Sequence, residues 1–164
     1  MKAIPDSAFW SANIGDADWI DGIIGDAFAD YARIMDAARG TARPRPARTW
    51  LHPAIEASAV WLFGRKGQPS GVAVLKCEEG AMWIERLAVD PAVQGQGWGA
   101  FALDRIADLA RSECHRAIRL YTGQPMTRLV AFYSLHGFRV THTGPAPGGD
   151  DGVLRVFMEK QFRI

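Results

Sequence analysis

The chain has 164 residues, the length of one domain, and its 48% hydrophobic and 23% charged residues are the balance of a globular protein rather than a fibrous or disordered one. Its 19 Lys and Arg nearly cancel its 18 Asp and Glu, so neither nucleic acid nor an anionic membrane surface is an expected partner. We also expect no signal peptide, no membrane span and, with only Cys77 and Cys114, no disulfide framework, which favours a cytoplasmic protein with reduced thiols.

The first third of the sequence predicts helices. Apolar residues at three- and four-residue spacing indicate one helix over about residues 16–28 and a second over about 30–39 that stops at Gly40. Residues 39–48, RGTARPRPAR, contain prolines that predict a loop. The four arginines of this loop offer contacts for an anionic ligand. Such charge runs more often stay solvated, so we expect a solvated connector.

The remaining sequence predicts alternating strands and helices. Three runs rich in β-branched and aromatic residues, at 59–64, 71–77 and 81–89, indicate an antiparallel meander. We then expect a helix over 97–112, a strand over 117–121, a helix over 127–136 and strands over 138–142 and 153–162. The expected fold class is therefore α/β, or α+β, with one domain over residues 1–164 and a mixed sheet.

A glycine-rich turn, Gln94-Gly95-Gln96-Gly97-Trp98-Gly99-Ala100, separates the meander from the helix after it. Small residues remove Cβ atoms where the chain enters a helix, so backbone N–H groups can point toward one ligand, and the helix N-terminus adds partial positive charge. The pattern favours a pyrophosphate site. Its alternative is a tight strand-to-helix turn without a ligand.

Two other nucleotide-binding patterns fit this turn poorly. Gly95, Gly97 and Ala100 match the dinucleotide fingerprint in form, but five residues separate Val89 from the first glycine and no acid ends the next strand. A phosphate-binding P-loop is excluded because no Gly-Lys-Ser/Thr follows.

Three motifs in order resemble the GNAT N-acetyltransferase superfamily. Residues 84–91 are similar to the fourth strand of the family and its exit, and the turn at 94–99, Q-x-x-G-x-G, is similar to its acetyl-CoA motif. Residues 131–138 are similar to its late helix, with a tyrosine and a Gly-Phe exit, and residues 155–160 are typical of a bacterial branch. The resemblance implies a mixed, mostly antiparallel central sheet flanked by helices. Met126 and Leu129 depart from the family, in which many members carry Asn and Ala at these positions.

The resemblance implies acetyl-CoA as co-substrate, with its pantetheine beside the fourth strand and its pyrophosphate on the glycine turn. An amide near Val89 is then expected to face the thioester oxygen. The implied cofactor-binding residues are Leu87, Ala88, Val89, Gln94, Gly95, Gln96, Gly97, Trp98, Gly99 and Ala100.

Two residues are candidates for the chemistry. Tyr133 stands where the family usually places its general acid, and we expect it to hydrogen-bond the leaving sulfur. Its alternative role is core packing. Glu85 is the first candidate for the base that deprotonates the amine, and its alternative is an ion pair with Arg86 or Arg119. Strict strand alternation groups Glu85 with Leu87 and Val89, but a bulge, common in the family, reverses this facing.

The acceptor is expected to be a primary amine of a small molecule or peptide. A non-catalytic acyl-CoA-binding domain is the second hypothesis. The resemblance implies that residues 30–48 and 144–152 determine the choice of acceptor. In the second region, Asp150 and Asp151 either attract a cationic amine or form a hairpin tip. A homodimer is compatible with the family. We predict no metal, since the histidines show no metal-ligand spacing: His52, His115, His136 and His142.

Overall fold

A computed structural model describes residues 3–45 and 47–163 and has one seven-stranded sheet. The strand order is β1-β2-β3-β4-β5-β7-β6, and every neighbouring pair is antiparallel except β4 and β5, which are parallel. This confirms the expected mixed, mostly antiparallel sheet. The strands are β1 Ser7–Ser11, β2 Val60–Arg65, β3 Gln68–Glu78, β4 Ala81–Val89, β5 Ala117–Gly123, β6 Arg139–Gly144 and β7 Arg155–Gln161.

Five α-helices cover the sheet: α1 Ala17–Ala27, α2 Ala29–Arg39, α3 Leu51–Glu56, α4 Trp98–Ser112 and α5 Thr127–Leu135. One face of the sheet packs against α4 and α5, with Leu75, Ile84 and Leu103 in a common buried cluster. The other face packs against α1 and α3 around Ile20 and Val72. The helices α1 and α4 turn their apolar sides to the sheet, as their spacing predicts. None of the helices in the described residues is long and apolar enough to cross a bilayer.

The prediction for the first third was only partly correct. The two long helices are present, and Gly40 ends α2 in the left-handed conformation at φ 79°, as a helix C-terminal glycine does. The strand β1 and the short helix α3 were missed. The five residues of β1 form an edge strand that β2 specifies by pairing, and α3 has six residues including Pro53. Neither segment is long enough to show a clear period.

An irregularity in β4 and a separation of two strands shape the middle of the sheet. Opposite the consecutive residues Val74 and Leu75 of β3 lie Arg86 and Ile84 of β4, so Glu85 is an extra residue, a β-bulge. The parallel pairing of β4 with β5 covers only Ala81–Trp83. Beyond this point the two strands diverge and leave a gap on the sheet surface.

Candidate active site

A cleft of about 690 Å³ opens where β4 and β5 diverge. Residues of both strands line it, including Glu85 and Thr122, and Tyr133 of α5 forms another wall. Tyr31 of α2 and Pro147 of the β6–β7 connection lie at its border. Residues from both regions that are expected to determine acceptor choice, 30–48 and 144–152, therefore line the same cleft as the bulged strand β4.

The bulge decides which side chains of β4 share a face. Leu87 and Val89 pack against the α4 cluster together with Ile84, whereas Ala88 belongs to the cluster under α1 and α3. Arg86 also faces that second side, with its guanidinium 4.1 Å from the centre of the Trp50 ring. If Glu85 were a regular strand residue instead of the bulge, strict alternation would place Leu87 on the face opposite Ile84. The bulge thus places Leu87 and Val89 on the α4 side of the sheet, together with Ile84.

The backbone of β4 offers hydrogen-bonding groups to the gap. The N–H of Asp90 donates to the carbonyl of Ser70 on the β3 side at 2.8 Å. Because N–H groups of alternate residues point to the same side of a strand, those of Leu87 and Val89 point away from β3, toward the space that β5 leaves. By the same alternation the backbone of Ala88 faces β3, so Ala88 differs from its neighbours and offers no hydrogen bond to the cleft.

The glycine turn leads from β4 into α4 with an uncapped helix N-terminus. Gly95 and Gly97 have φ of 78° and 92°, in the left-handed region where a Cβ is strained. Gly97 is the N-cap and supplies no side-chain hydrogen bond to the helix, so the first N–H groups of α4 lack intrahelical acceptors. These N–H groups and the helix dipole form a site suited to an anion.

Other residues of the turn support this geometry. The side chains of Trp98 and Ala100 are buried at 3% and 7% exposure, so only their backbone can reach a ligand. Gly99 faces Phe132, whose ring atom lies 3.1 Å from the position of an added Cβ. The segment from Gln94 through Gln96 is exposed, and Nε2 of Gln94 donates to the carbonyl of Val89 at 3.2 Å.

Tyr133 lies in the wall of the cleft with its ring in the core. The residue is 8% exposed, and its ring contacts Phe132 and Phe138 at centroid distances of 5.3 and 5.6 Å. Its hydroxyl has no hydrogen-bond partner among the described residues. Burial raises the pKa of Tyr133 well above its ordinary value, because the phenolate loses hydration. The hydroxyl therefore stays protonated and is available as a donor.

Glu85 is exposed and lines the cleft. The ion pair considered for it is not formed: Nε of Arg119 donates to Oε2 of Glu159 at 2.7 Å. Arg86 is turned to Trp50 on the other face of the sheet, and burial lowers the pKa of its guanidinium. In the part of the chain that is described, Glu85 makes no ion pair. Its carboxylate is thus open to the cleft.

Two polar groups in the cleft wall were not predicted from the sequence. Thr122 is 4% exposed and its hydroxyl has no hydrogen-bond partner among the described residues, and the same holds for the buried indole nitrogen of Trp83. Both residues line the cleft. A buried polar atom without a partner costs stability unless something satisfies it. A strand pattern carries no signal for such atoms, because their lack of a partner depends on how distant segments pack around them.

The arginine-rich loop and the aspartate pair are joined in an ion-pair network. The carboxylate of Asp151, 6% exposed, accepts hydrogen bonds from Arg155 and Arg39, each at 2.8 Å. The carboxylate of Asp36 forms ion pairs with Arg39 at 2.8 Å and with Arg45 at 2.6 Å. The expectations of a solvated connector and of a simple hairpin tip are therefore wrong for Arg39 and Asp151. Long-range pairing, invisible in the sequence, holds α2 to the β6–β7 connection beside the cleft.

Replacing Asp151 by Asn is expected to lower the free energy of unfolding by about 2 kcal/mol, less than for an isolated buried pair because both arginines keep another acceptor. Tm then falls by about 4–8 °C in thermal unfolding. The arginines hold the pKa of Asp151 well below its usual value. Its stabilisation is thus complete above pH ~4 and is lost as pH falls toward the folded-state pKa. In the Asp151→Asn variant, the free energy of unfolding should therefore fall less steeply as the pH is lowered below about 4.

The exposed neighbour Asp150 provides the matched control, since its side chain accepts the N–H of Gly152 and makes no ion pair with the residues that the structure describes. Asp150→Asn should change Tm by less than half as much. Equal losses in the two variants would show that the network adds no stability.

A model of the acetyltransferase (GNAT) family matches residues 27–138, which is more than half of the chain. The chain belongs to the GNAT acetyltransferase family. The match spans α2 through α5 and includes the bulged strand, the glycine turn and the tyrosine helix. No curated protein sequence matches significantly.

Solved structures share the GNAT fold over the whole chain. The ribosomal-protein-S18-alanine N-acetyltransferase from Escherichia coli superposes with a TM-score of 0.70 at 17% identity, over 96% of this chain and 95% of that one. A GNAT family acetyltransferase from Elizabethkingia anophelis with acetyl-CoA bound gives 0.71 at 16% identity, over 97% and 100%. For N-acetylglutamate synthase from Neisseria gonorrhoeae, complexed with coenzyme A and N-acetyl-glutamate, the TM-score is 0.73 at 19% identity. There the match covers 100% of this chain but 36% of the other.

Proposed function

We propose that this protein is an acetyl-CoA-dependent N-acetyltransferase that acetylates a primary amine of a small molecule or peptide by direct attack. The observation that carries the proposal is the single cleft at the divergence of β4 and β5. It joins backbone donors of a bulged strand, an open carboxylate at Glu85 and a neutral hydroxyl at Tyr133. Family membership and a relative solved with acetyl-CoA bound support the donor.

The residues around the gap fit an acyl-CoA. Leu87 and Val89 would pair with the pantetheine as an added strand does, through backbone groups that point away from β3. Ala88 would line the same path without a hydrogen bond. The amides from Gln94 to Ala100 would bind the pyrophosphate at the N-terminus of α4. This division fits a turn with four small residues, Gly95, Gly97, Gly99 and Ala100, and no charged one.

Acetyl-CoA, when bound, supplies the activated thioester carbonyl. The N–H near Val89 would stabilise the negative charge that develops on the thioester oxygen, and one such donor contributes about 3 kcal/mol. Glu85 would take the proton of the attacking amine, directly or through water, because an alkylammonium is mostly protonated at neutral pH. The new C–N bond forms as the C–S bond breaks.

Tyr133 would donate a hydrogen bond to the sulfur as it becomes a thiolate. A thiol has a pKa of about 8.5 and a free tyrosine one of about 10. Burial raises the pKa of Tyr133 further, so complete proton transfer to the sulfur is uphill. The hydroxyl therefore acts mainly as a hydrogen-bond donor, and the thiolate takes its proton late.

Replacing Glu85 by Gln is expected to lower kcat/KM by about 100-fold at neutral pH, because the amide cannot accept the proton of the amine. The Kd for acetyl-CoA should stay unchanged. Glu78 lines the same cleft and pairs with Lys76 at 2.7 Å, so Glu78→Gln is the matched control. Steady-state thiol release measures both. A loss of similar size in the two variants would assign the effect to cleft charge and not to a base.

The second candidate is a domain that binds acyl-CoA without turnover. It is favoured by Met126 and Leu129, which replace residues that many relatives use near the pantetheine, and Leu129 lines the cleft. Such a domain would keep the glycine turn and lose the need for Glu85.

Calorimetric titration with acetyl-CoA and with CoA, followed by thiol release over a panel of amines, separates these candidates. Micromolar binding with release toward one class of amine supports the enzyme. Binding without release from any amine supports the binding domain. Absence of binding to either ligand would overturn both proposals together, since both place the pyrophosphate on the glycine turn.

A further inference from the structure

Three side chains with metal-binding atoms meet at one end of the sheet. Cys77 is the second-to-last residue of β3, Glu113 caps α4, and His115 follows two residues later. Lys76 and Glu78, the neighbours of Cys77, line the acyl-transfer cleft. Because side chains alternate along a strand, Cys77 points to the opposite face. The cluster is therefore separate from the proposed active site.

The ligand atoms are close enough for one ion. Nε2 of His115 lies 3.3 Å from Oε2 of Glu113, and Sγ of Cys77 lies 3.8 Å from the same oxygen. All three atoms lie within 4.8 Å of one another. Tetrahedral zinc with ordinary Zn–S, Zn–N and Zn–O bonds places its ligand atoms about 3.3–3.6 Å apart. Only a small inward movement of the exposed Cys77 side chain is needed.

We propose that Cys77, Glu113 and His115 bind Zn²⁺, with water as the fourth ligand. A thiolate, an imidazole and a carboxylate form a donor set that suits zinc and excludes magnesium and calcium, which take oxygen ligands. Binding replaces the thiol proton by the metal, so one proton is released to solvent for each ion bound. This inference does not depend on the proposed enzymatic activity.

Two features of the surroundings support the site. The backbone N–H of His115 donates to the carbonyl of Ala110 at 2.9 Å, which fixes the main chain at this residue. The His115 side chain is only 14% exposed, so its neighbours restrict the imidazole. Cys77 and Glu113 are exposed, so an ion reaches them from solvent. The sequence predicted no metal because its histidines lack metal-ligand spacing. Cys77 lies 36 positions from Glu113, and only the packing of α4 on the sheet brings the three residues together. A bound ion would tie β3 to the end of α4.

Cobalt substitution tests the assignment directly. Metal-free protein titrated with Co²⁺ should develop thiolate-to-cobalt charge-transfer absorption and the visible bands of a four-coordinate ion at one ion per chain. Zn²⁺ should abolish them by competition. Cys77→Ser and His115→Ala should lose the charge-transfer band or weaken Co²⁺ binding at least tenfold. Cys114→Ser is the matched control, since Cys114 is also an exposed free thiol but lies outside the cluster.

Thermal unfolding gives an independent measurement. Zn²⁺ at a hundred times its Kd should raise Tm of the wild-type protein and of Cys114→Ser by about 5–10 °C and should leave Tm of Cys77→Ser unchanged. The proposal is overturned if no thiolate band appears, if the band survives in Cys77→Ser, or if Cys114→Ser loses it equally. Because Cys77 is exposed and Ser is nearly isosteric, the decisive variant is expected to fold.

Discussion

Replacing Tyr133 by Phe is expected to lower kcat by at least 100-fold while the Kd for acetyl-CoA stays within about threefold of wild type. The hydroxyl has no partner among the described residues, so its removal breaks no hydrogen bond of the folded protein. The ring remains packed against Phe132 and Phe138. The variant should therefore unfold at nearly the wild-type temperature.

Tyr121→Phe is the matched control for this substitution. Tyr121 lines the same cleft from β5 and is 43% exposed, so it offers a second tyrosine hydroxyl in the same space. Single-turnover and steady-state rates with a saturating amine should separate the two variants. If Tyr133→Phe keeps wild-type kcat, the hydroxyl does not contact the leaving sulfur and the residue serves the core alone.

The pH dependence of Tyr133 follows from its burial. A tyrosine whose pKa is raised by burial remains an O–H donor beyond the pH at which a free tyrosine ionises. Ionisation of Tyr133 should therefore cause no decrease in kcat as the pH rises to about 10. Any limb near neutrality must come from the amine acceptor or from its base.

The parts of the fold that the sequence predicted are those with local patterns. The apolar stripe of α4 has period 3.6, the meander has runs of β-branched residues, and the glycine turn needs left-handed φ at Gly95 and Gly97. Each of these patterns lies within one continuous stretch of sequence. The short elements β1 and α3 lacked enough residues to form a pattern, and their identity comes from the neighbours on which they pack.

The walls of the cleft depend instead on where distant segments meet. The hydroxyl of Thr122 is buried without a partner in the part of β5 that lies beyond its three residues paired with β4. Asp151 is buried because Arg39, 112 positions away, reaches it. The facing of Glu85 was left open by the sequence, because strict alternation and the bulge that is common in the family predict opposite faces and residue type does not decide between them. Sequence motifs therefore predicted which residues are candidates for the site. Which of these side chains face the cleft depends on the tertiary packing.

Gly97→Ala is expected to raise the Kd for both acetyl-CoA and CoA by about 10–100-fold. A side chain at φ 92° adds about 1–2 kcal/mol of strain. The backbone relieves this strain by rotating, which moves the first N–H groups of α4 away from the pyrophosphate. Losing one charge-assisted hydrogen bond costs about 1.5–3 kcal/mol, which is the predicted change in Kd. Calorimetry measures it.

Gly80→Ala separates loss of the binding site from loss of stability. Gly80 lies in the β3–β4 turn at φ 73°, and nothing lies within 4 Å of an added Cβ, so it carries the same strain without touching the proposed site. Both variants should lose similar stability, and only Gly97→Ala should bind CoA poorly. Equal Kd values in the two variants would show that the turn does not hold the pyrophosphate.

The two substitutions at Gly97 and Tyr133 act on different steps of one reaction. Gly97 is proposed to hold the end of the donor far from the thioester, so Gly97→Ala saturated with acetyl-CoA should regain nearly the wild-type kcat. Tyr133→Phe should bind acetyl-CoA normally and turn over slowly at every concentration. This separation is expected because the glycine turn and Tyr133 would contact different parts of the donor, the pyrophosphate and the thioester sulfur. A domain that only binds acyl-CoA would respond to Gly97→Ala alone.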